Sequence, residues 1–256
     1  MLDLSPDIAP PQPVRLADYQ PPAFLIDTVD LIFELGDIDT RVKSRLRIRR
    51  NPRSSDPRVP LHLDGEELTL RSLALDGEPL GANRYQLASE GGLILTDVPE
   101  SFTLDIEAST SPASNTALSG LYMSGGNFCT QCEPEGFRKI TYYLDRPDVM
   151  VKFTTTLIAE RNQFPVLLSN GNLETAGEAD IPGRHFAIWT DPHKKPCYLF
   201  ALVAGDLGSI RDSFVTASGR SVALAIYVEP DREERTEYAM DALKRAMAWD
   251  ERVYGA

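Results

Sequence analysis

Between residues 24 and 49 apolar and polar side chains alternate one for one, a period that a helix cannot use. Leu25, Asp27, Val29, Leu31 and Phe33 fall on one side of an extended chain, and Ile26, Thr28, Asp30 and Ile32 on the other. Val42, Ser44, Leu46 and Ile48 oppose Arg41, Lys43, Arg45, Arg47 and Arg49 in the same way. Successive strand residues point to opposite faces, so this alternation marks half-buried antiparallel strands. Gly36-Asp37-Ile38-Asp39 supplies the turn between the two runs. Asp64-Gly65 and Asp76-Gly77 each follow a Leu-x-Leu and predict two further hairpins, because Asp-Gly tolerates the positive φ of tight turns.

Further strands are predicted over residues 93–96, 102–107, 150–160, 166–169 and 185–190. The most apolar run, 197–204, is expected to be a central strand, broken by Gly205-Asp206-Leu207. Two more alternating stretches follow, 209–216 and 221–229. Only the last segment has a helical period. Tyr238, Ala242, Ala246, Trp249 and Val253 recur at three- and four-residue spacing, and Leu243 and Met247 widen the stripe. The charged run 231–235 and Thr236 stand at its start. Strands at roughly ten-residue spacing with turn signals indicate an all-β fold, a β-sandwich over residues 14–205. Residues 206–256 read as the opening of another unit. A first good helix that ends at Gly255-Ala256 predicts a longer parent protein.

Composition narrows the partners. Acids number 38 against 26 bases, a net charge of -12 in 256 residues. Nucleic acid and anionic membrane both call for a basic footprint, so neither is expected. No run approaches the roughly 20 apolar residues of a membrane helix. The proline-rich segment 1–22 lacks the basic start and apolar core of a secretory signal and reads as a tail reaching an ordered body near Phe24. Three cysteines, an odd number, argue against a secreted disulfide framework. Cytoplasm is the default location.

Several catalytic signatures are absent from the sequence. There is no His-Glu-x-x-His, and His62, His185 and His193 have no ligand spacing. There is no Gly-x-Ser-x-Gly elbow, and Gly125-Gly126-Asn127 is too short for a phosphate loop. Cys129-Thr130-Gln131-Cys132 is a C-x-x-C: either a redox pair or zinc half-site, or two small thiols packed near a loop. Gln131 and Glu133, at alternate positions of an extended segment, project to one side. A carboxylate beside a carboxamide suits a protonated primary amine, one full negative charge with one neutral acceptor. The plainer reading is a loop carboxylate that caps backbone amides or pairs with Arg138.

The loop 130–138, Thr-Gln-Cys-Glu-Pro-Glu-Gly-Phe-Arg, and its continuation Ile-Thr-Tyr-Tyr-Leu-Asp-Arg-Pro-Asp-Val over 140–149 closely resemble the substrate-amine loop of the bacterial aminopeptidase N family, zinc-dependent gluzincin peptidases. Segments 111–122, 168–172 and 195–206 resemble that family's approach to the loop, a turn, and the end of its first domain. Trp249-Asp250-Glu251 resembles the helix that opens its peptidase domain. The likeness runs from about residue 20 to the end. It implies a saddle-like antiparallel β-sandwich, followed by the first strands and helix of a thermolysin-like domain. It implies that Glu133 holds the α-amine of a peptide substrate and that Gln131 lines the same pocket. Zn is implied for the full-length parent and the downstream catalytic domain of the same chain. The zinc ligands, general-base Glu, Gly-Ala-Met-Glu-Asn segment and transition-state Tyr do not occur in these 256 residues. The piece is therefore expected to bind no zinc and to be inactive alone. The alternative is a stand-alone β-sandwich interaction module without catalytic activity.

Overall fold

A computed structural model describes residues 15–54, 58–89 and 91–255. The start of the proline-rich tail, residues 1–14, lies outside them. The chain is mostly strand, with one helix at its C-terminal end. A long hairpin opens it, β1 (Phe24–Glu34) and β2 (Thr40–Arg50). Short strands follow: β3 (Leu61–Leu63), β4 (Thr69–Leu75), β5 (Glu78–Pro79), β6 (Tyr85–Leu87) and β7 (Leu93–Leu95). Next come β8 (Ser101–Thr110), β9 (Gly120–Ser124), β10 (Asn127–Gln131), β11 (Val151–Glu160), β12 (Val166–Ser169) and β13 (Asn172–Glu178). The last strands are β14 (Arg184–Lys195), β15 (Leu202–Gly205), β16 (Gly208–Val215) and β17 (Ser221–Val228), before helix α1 (Glu237–Tyr254).

An eight-stranded sheet runs β13-β14-β11-β1-β2-β8-β4-β5, and a four-stranded sheet runs β12-β15-β10-β9. Strands β3, β7 and β6 form a third sheet, and β16 and β17 pair only with each other. One contiguous core joins the two large sheets, with Val29, Phe33, Leu46 and Phe153 from the first and Leu121, Phe128, Leu202 and Ala204 from the second. On β2 the expected alternation holds from Thr40 to Ile48, with every arginine and lysine outward. Lys43 Nζ lies 2.7 Å from Glu34, and Arg45 Nε lies 2.6 Å from Asp105. Such exposed pairs contribute about 0–1 kcal/mol each. The two polar residues on the inner face of β2 both find partners: Thr40 Oγ1 donates to the Gly36 carbonyl at 2.7 Å, and Ser44 meets Thr141 Oγ1 at 3.0 Å.

Five expectations are corrected. The eight-stranded sheet is not wholly antiparallel, because β1 and β11 pair in parallel. Parallel neighbours need a long crossover, and all of β2 to β10 lies between them. Strict period two also fails on β1. Its register shifts between Ile26 and Thr28, a bulge that moves one residue out of step. Phe24 and Ile26 are buried before it, and Val29, Leu31 and Phe33 after it, so Leu25 does not share their face. The displaced Asp27 carboxylate is left for Arg49, whose Nε lies 3.1 Å away.

Asp76-Gly77 forms its hairpin, with φ of 52° and 85°, but Asp64-Gly65 does not. Asp64 forms an isolated antiparallel bridge with Tyr143. Gly65 is there for space: a Cβ on it would come within 2.4 Å of the Tyr142 ring. The run 197–204 is likewise no continuous strand. Cys197–Leu199 is a 3₁₀ turn, and only β15 is extended, central between β12 and β10. Cys197 Sγ bonds to Asp145 and Phe200 stacks on Phe33 at 5.9 Å, contacts that a straight strand would not deliver together.

The helix sits where its period placed it, yet its inward side differs. Met240 is its one buried residue, and Met247 is half-buried. Lys244 forms an ion pair with Asp212 on β16. Glu251 accepts the Ala217 N–H at 3.0 Å from the turn of the β16–β17 ribbon. The side of the helix toward the ribbon thus mixes Met240 and Met247 with Lys244 and Glu251, and Tyr238, Trp249 and Val253 remain 75%, 49% and 49% exposed.

The alternation on β2 has a direct energetic test. Leu46 is fully buried and Arg47 is outward with no ion pair among the described residues. Leu46→Ala should lower unfolding free energy by about 2–5 kcal/mol, and Arg47→Ala should change it by less than about 0.5 kcal/mol. Urea denaturation of the two variants checks this, and equal losses would contradict the inward register of β2.

Candidate functional site, the Gln131–Glu133 loop

The loop hangs between two fixed points. At one end β10 is held by β9, with Gln131 opposite Gly120, and by β15. At the other, Phe137 is fully buried among Tyr143, Phe200 and Phe153, with ring centroids 4.8, 5.3 and 6.0 Å away. Between them the chain turns tightly. The Glu135 and Gly136 N–H groups both donate to the Cys132 carbonyl, at 3.1 and 2.8 Å. Position 136 must be glycine, since a Cβ would lie 2.3 Å from the Gln131 carbonyl oxygen. Glu135 adopts φ 155°, a region that favours glycine and costs a side-chain-bearing residue on the order of 1–3 kcal/mol.

Gln131 and Glu133 are exposed while Cys132 between them is buried, so both project from the same side of the segment. The Gln131 Nε2 donates to the Glu133 carbonyl at 3.0 Å, which leaves its amide oxygen without a hydrogen bond among the described residues. Among the described residues that carboxylate has no hydrogen bond or ion pair. The pairing with Arg138 does not form. Arg138 turns instead to Asp145, Nε to Oδ2 at 3.0 Å, and reaches Glu135 at 3.6 Å. Glu133, Pro134, Glu135, Asp145, Arg146, Pro147 and Tyr198 surround a hollow of about 320 Å³, and Gln131 is not among them.

Asp145 is the residue sequence reasoning missed. Its side chain is 3% exposed. The Arg138 N–H donates to Oδ2 at 3.1 Å and Cys197 Sγ donates to Oδ1 at 3.0 Å. The Asp145 N–H donates to Asp64 Oδ2 at 3.1 Å. A signal was present, a lone acid after the apolar run Tyr142-Tyr143-Leu144. Burial works against the Arg138 charge, but its bond to Asp145 and the nearby Asp64 and Glu135 keep its pKa above the usual arginine value. Tyr143 is fully buried, and its hydroxyl finds no hydrogen-bond partner among the described residues. Burial, with Cys197 and Asp145 nearby, pushes that phenol well above its ordinary range.

The C-x-x-C is not poised for redox chemistry. Burial, and then the Asp145 charge, push the Cys132 thiol up to about 12, whereas a reactive cysteine has its pKa lowered. Burial also raises the half-buried Cys129. Among the described residues no group of three or more His, Cys, Asp or Glu is arranged to hold a metal ion. A zinc ion does not fit these residues. A larger hollow, about 460 Å³, lies on the outer face of the eight-stranded sheet, but its Arg45 and Asp105 already satisfy each other. No described helix is long and apolar enough to cross a membrane.

Comparison with known proteins agrees on kinship. The profile of the Peptidase M1 N-terminal domain matches residues 32–199. The chain is 51% identical over 245 residues to aminopeptidase N of Caulobacter vibrioides and 49% identical to aminopeptidase N of Escherichia coli. Each alignment covers 96% of this chain, which spans only 28% and 27% of those proteins. The structure of Legionella pneumophila aminopeptidase A in complex with aspartic acid superposes with a TM-score of 0.88 at 36% identity, over 95% of this chain and 28% of that one. An M1 zinc metallopeptidase of Deinococcus radiodurans superposes at 0.65 over 81% of this chain and 48% of that one, at 17% identity, a likeness of fold alone. A profile match over most of the chain and this level of identity place it together: the chain belongs to the Peptidase M1 N-terminal domain family.

Proposed function

We propose that this chain is the amine-recognising part of a zinc-dependent aminopeptidase that releases N-terminal residues from peptides. The observation that carries the reading is the unpaired Glu133 carboxylate, on the same side of its segment as Gln131, on a loop fixed at both ends. The family supports it, since the relatives named above are aminopeptidases. A protonated α-amine would take a charge-assisted bond from Glu133 and a neutral one from Gln131. Such recognition confines cleavage to the first residue, because an internal peptide nitrogen carries no charge. Residues 14–205 would form the saddle-like β-sandwich, and 206–256 would open the thermolysin-like domain. The exposed apolar side of α1 suits packing against that domain. Zinc and the catalytic acid–base groups would belong to the downstream segment. Cytoplasm remains the expected compartment.

Two outcomes test this. The 256-residue piece by itself should hydrolyse no aminoacyl reporter and should purify without stoichiometric zinc. Chelator-sensitive hydrolysis by the piece would place catalytic machinery within it. The coding sequence past Ala256 should supply an in-frame His-Glu-x-x-His. A stop codon at that point would favour the interaction module instead.

In the full-length protein, Glu133→Gln keeps an acceptor but removes the ion pair. Losing one partner of a buried charged contact costs about 2–5 kcal/mol, and about 1.4 kcal/mol is tenfold. kcat/KM for free-amine substrates should therefore fall at least tenfold. Gln131→Ala should do less, since a neutral contact contributes about 0.5–1.5 kcal/mol. Glu135→Gln is the control. Glu135 lines the same hollow, but its carboxylate already faces Arg138 at 3.6 Å, so the effect should be smaller than that of Glu133→Gln. Steady-state kinetics on the three variants decide it, and an unimpaired Glu133→Gln enzyme would remove Glu133 from substrate recognition.

A further inference from the structure

The open state of Glu133 needs a cause, because a cation stands within reach of its loop. Arg138 comes to 3.6 Å from Glu135, two residues beyond Glu133. Its better bonds run the other way. Nε donates to Asp145 Oδ2 at 3.0 Å and Nη2 donates to the Asp145 carbonyl at 3.3 Å. Asp145 is itself immobilised by the Arg138 N–H and the Cys197 thiol, and through its own N–H by Asp64. It lines the same hollow as Glu133. The other basic residues near the loop are committed too. Arg146 is held by Asp148, with bonds of 2.9 and 2.8 Å. Lys139 lies 3.3 Å from Glu66 and 3.4 Å from Glu67.

We propose that Asp145 is a positioning residue for the amine site: it holds the Arg138 guanidinium away from Glu133, so that the substrate's α-ammonium meets no internal competitor. The inference rests on the reading of Glu133 as the amine anchor. A guanidinium pairs with carboxylates in a two-pronged geometry that an ammonium cannot match. Tethered a few residues away, it would act at an effective concentration on the order of millimolar or more. Substrates with KM between about 1 μM and 1 mM would have to displace it at every turnover. Removing the Asp145 charge should therefore weaken substrate binding and leave the chemical step nearly untouched, a split between KM and kcat.

The experiment uses the full-length protein and an aminoacyl reporter substrate. Asp145→Asn should raise KM at least fivefold with kcat within about twofold. Adding Arg138→Gln to it should bring KM back to within about twofold of wild type, because the competitor is gone. An unchanged KM in Asp145→Asn, or a double variant no better than the single one, would overturn the proposal. In a Glu133→Gln background, Asp145→Asn should add no further rise in KM. If Glu133→Gln alone is silent, the amine reading fails. If Glu133→Gln is impaired while Asp145→Asn is silent, only the positioning role fails. Should Asp145→Asn not fold, as judged by circular dichroism, the comparison becomes Arg138→Lys against Arg138→Gln. A retained mobile charge then raises KM more than the neutral side chain does, whereas a purely structural clamp gives the opposite order.

Discussion

A carboxylate taken out of water must be answered by donors, and the Asp145 carboxylate is answered from two separate parts of the chain, while a third takes its backbone N–H. The 3₁₀ turn after the loop gives the Arg138 backbone and side chain, and the turn before β15 gives Cys197. Asp64 comes from the stretch after β3, where it pairs with Tyr143 and accepts the Asp145 N–H. Breaking such a buried pair from one side costs about 3–5 kcal/mol, more than any exposed ion pair on the sheets. The positions of the two turns relative to each other follow from this one group. The loop that carries Gln131 and Glu133 leaves from β10 and returns into the Arg138 turn, so its far end is set by the same bond.

Aromatic packing makes the anchor rigid. Phe137 immediately precedes Arg138 and is fully buried, in contact with rings from β11 and from the segment before β15. Arg138 therefore cannot follow its loop outward without pulling Phe137 from the core. Precision at a recognition site comes from supporting groups with their own fixed positions. Here that support is one buried ring and one buried carboxylate on adjacent turns of chain.

Much of the fold was legible because burial on one face writes itself into the sequence as period two. It was readable on β2, where Val42, Ser44, Leu46 and Ile48 are all inward, and in the boundaries of β12 and α1. It was misread where one residue steps out of line. The bulge at Asp27 leaves no mark in composition, since both Leu25 and Ile26 are apolar and either could be inward. The side of α1 that packs was misread for a different reason. Hydrophobicity locates an apolar stripe, but Lys244 and Glu251 contact the ribbon through charge and hydrogen bonds, and a periodicity argument gives these no weight. Asp64-Gly65 failed because a dipeptide that tolerates a hairpin does not require one. The glycine there makes room for Tyr142, a contact 77 residues away in sequence.

At the site the alternation of Gln131, Cys132 and Glu133 was enough to put two polar groups on one side. What residue types could not rank was which acid would be left open, since Glu133, Glu135 and Asp145 all stand near Arg138 in sequence. Geometry ranks them by competition. Asp145 takes the strongest bonds, Glu135 takes a long, exposed contact, and Glu133 takes none among the described residues. The same arithmetic holds for the whole chain. With 38 acids and 26 bases, some carboxylates must go without a basic partner, and most of these can face water anywhere on the surface at little cost. An unpaired acid acquires meaning only where nearby cations are abundant and all are engaged elsewhere. Around this loop Arg138, Lys139 and Arg146 meet that condition, each bound to another acid. On the proposed reading, the negative charge at Glu133 is not a surplus but a vacancy maintained by three ion pairs, and its specificity for an incoming ammonium lies in those pairs as much as in Glu133 itself.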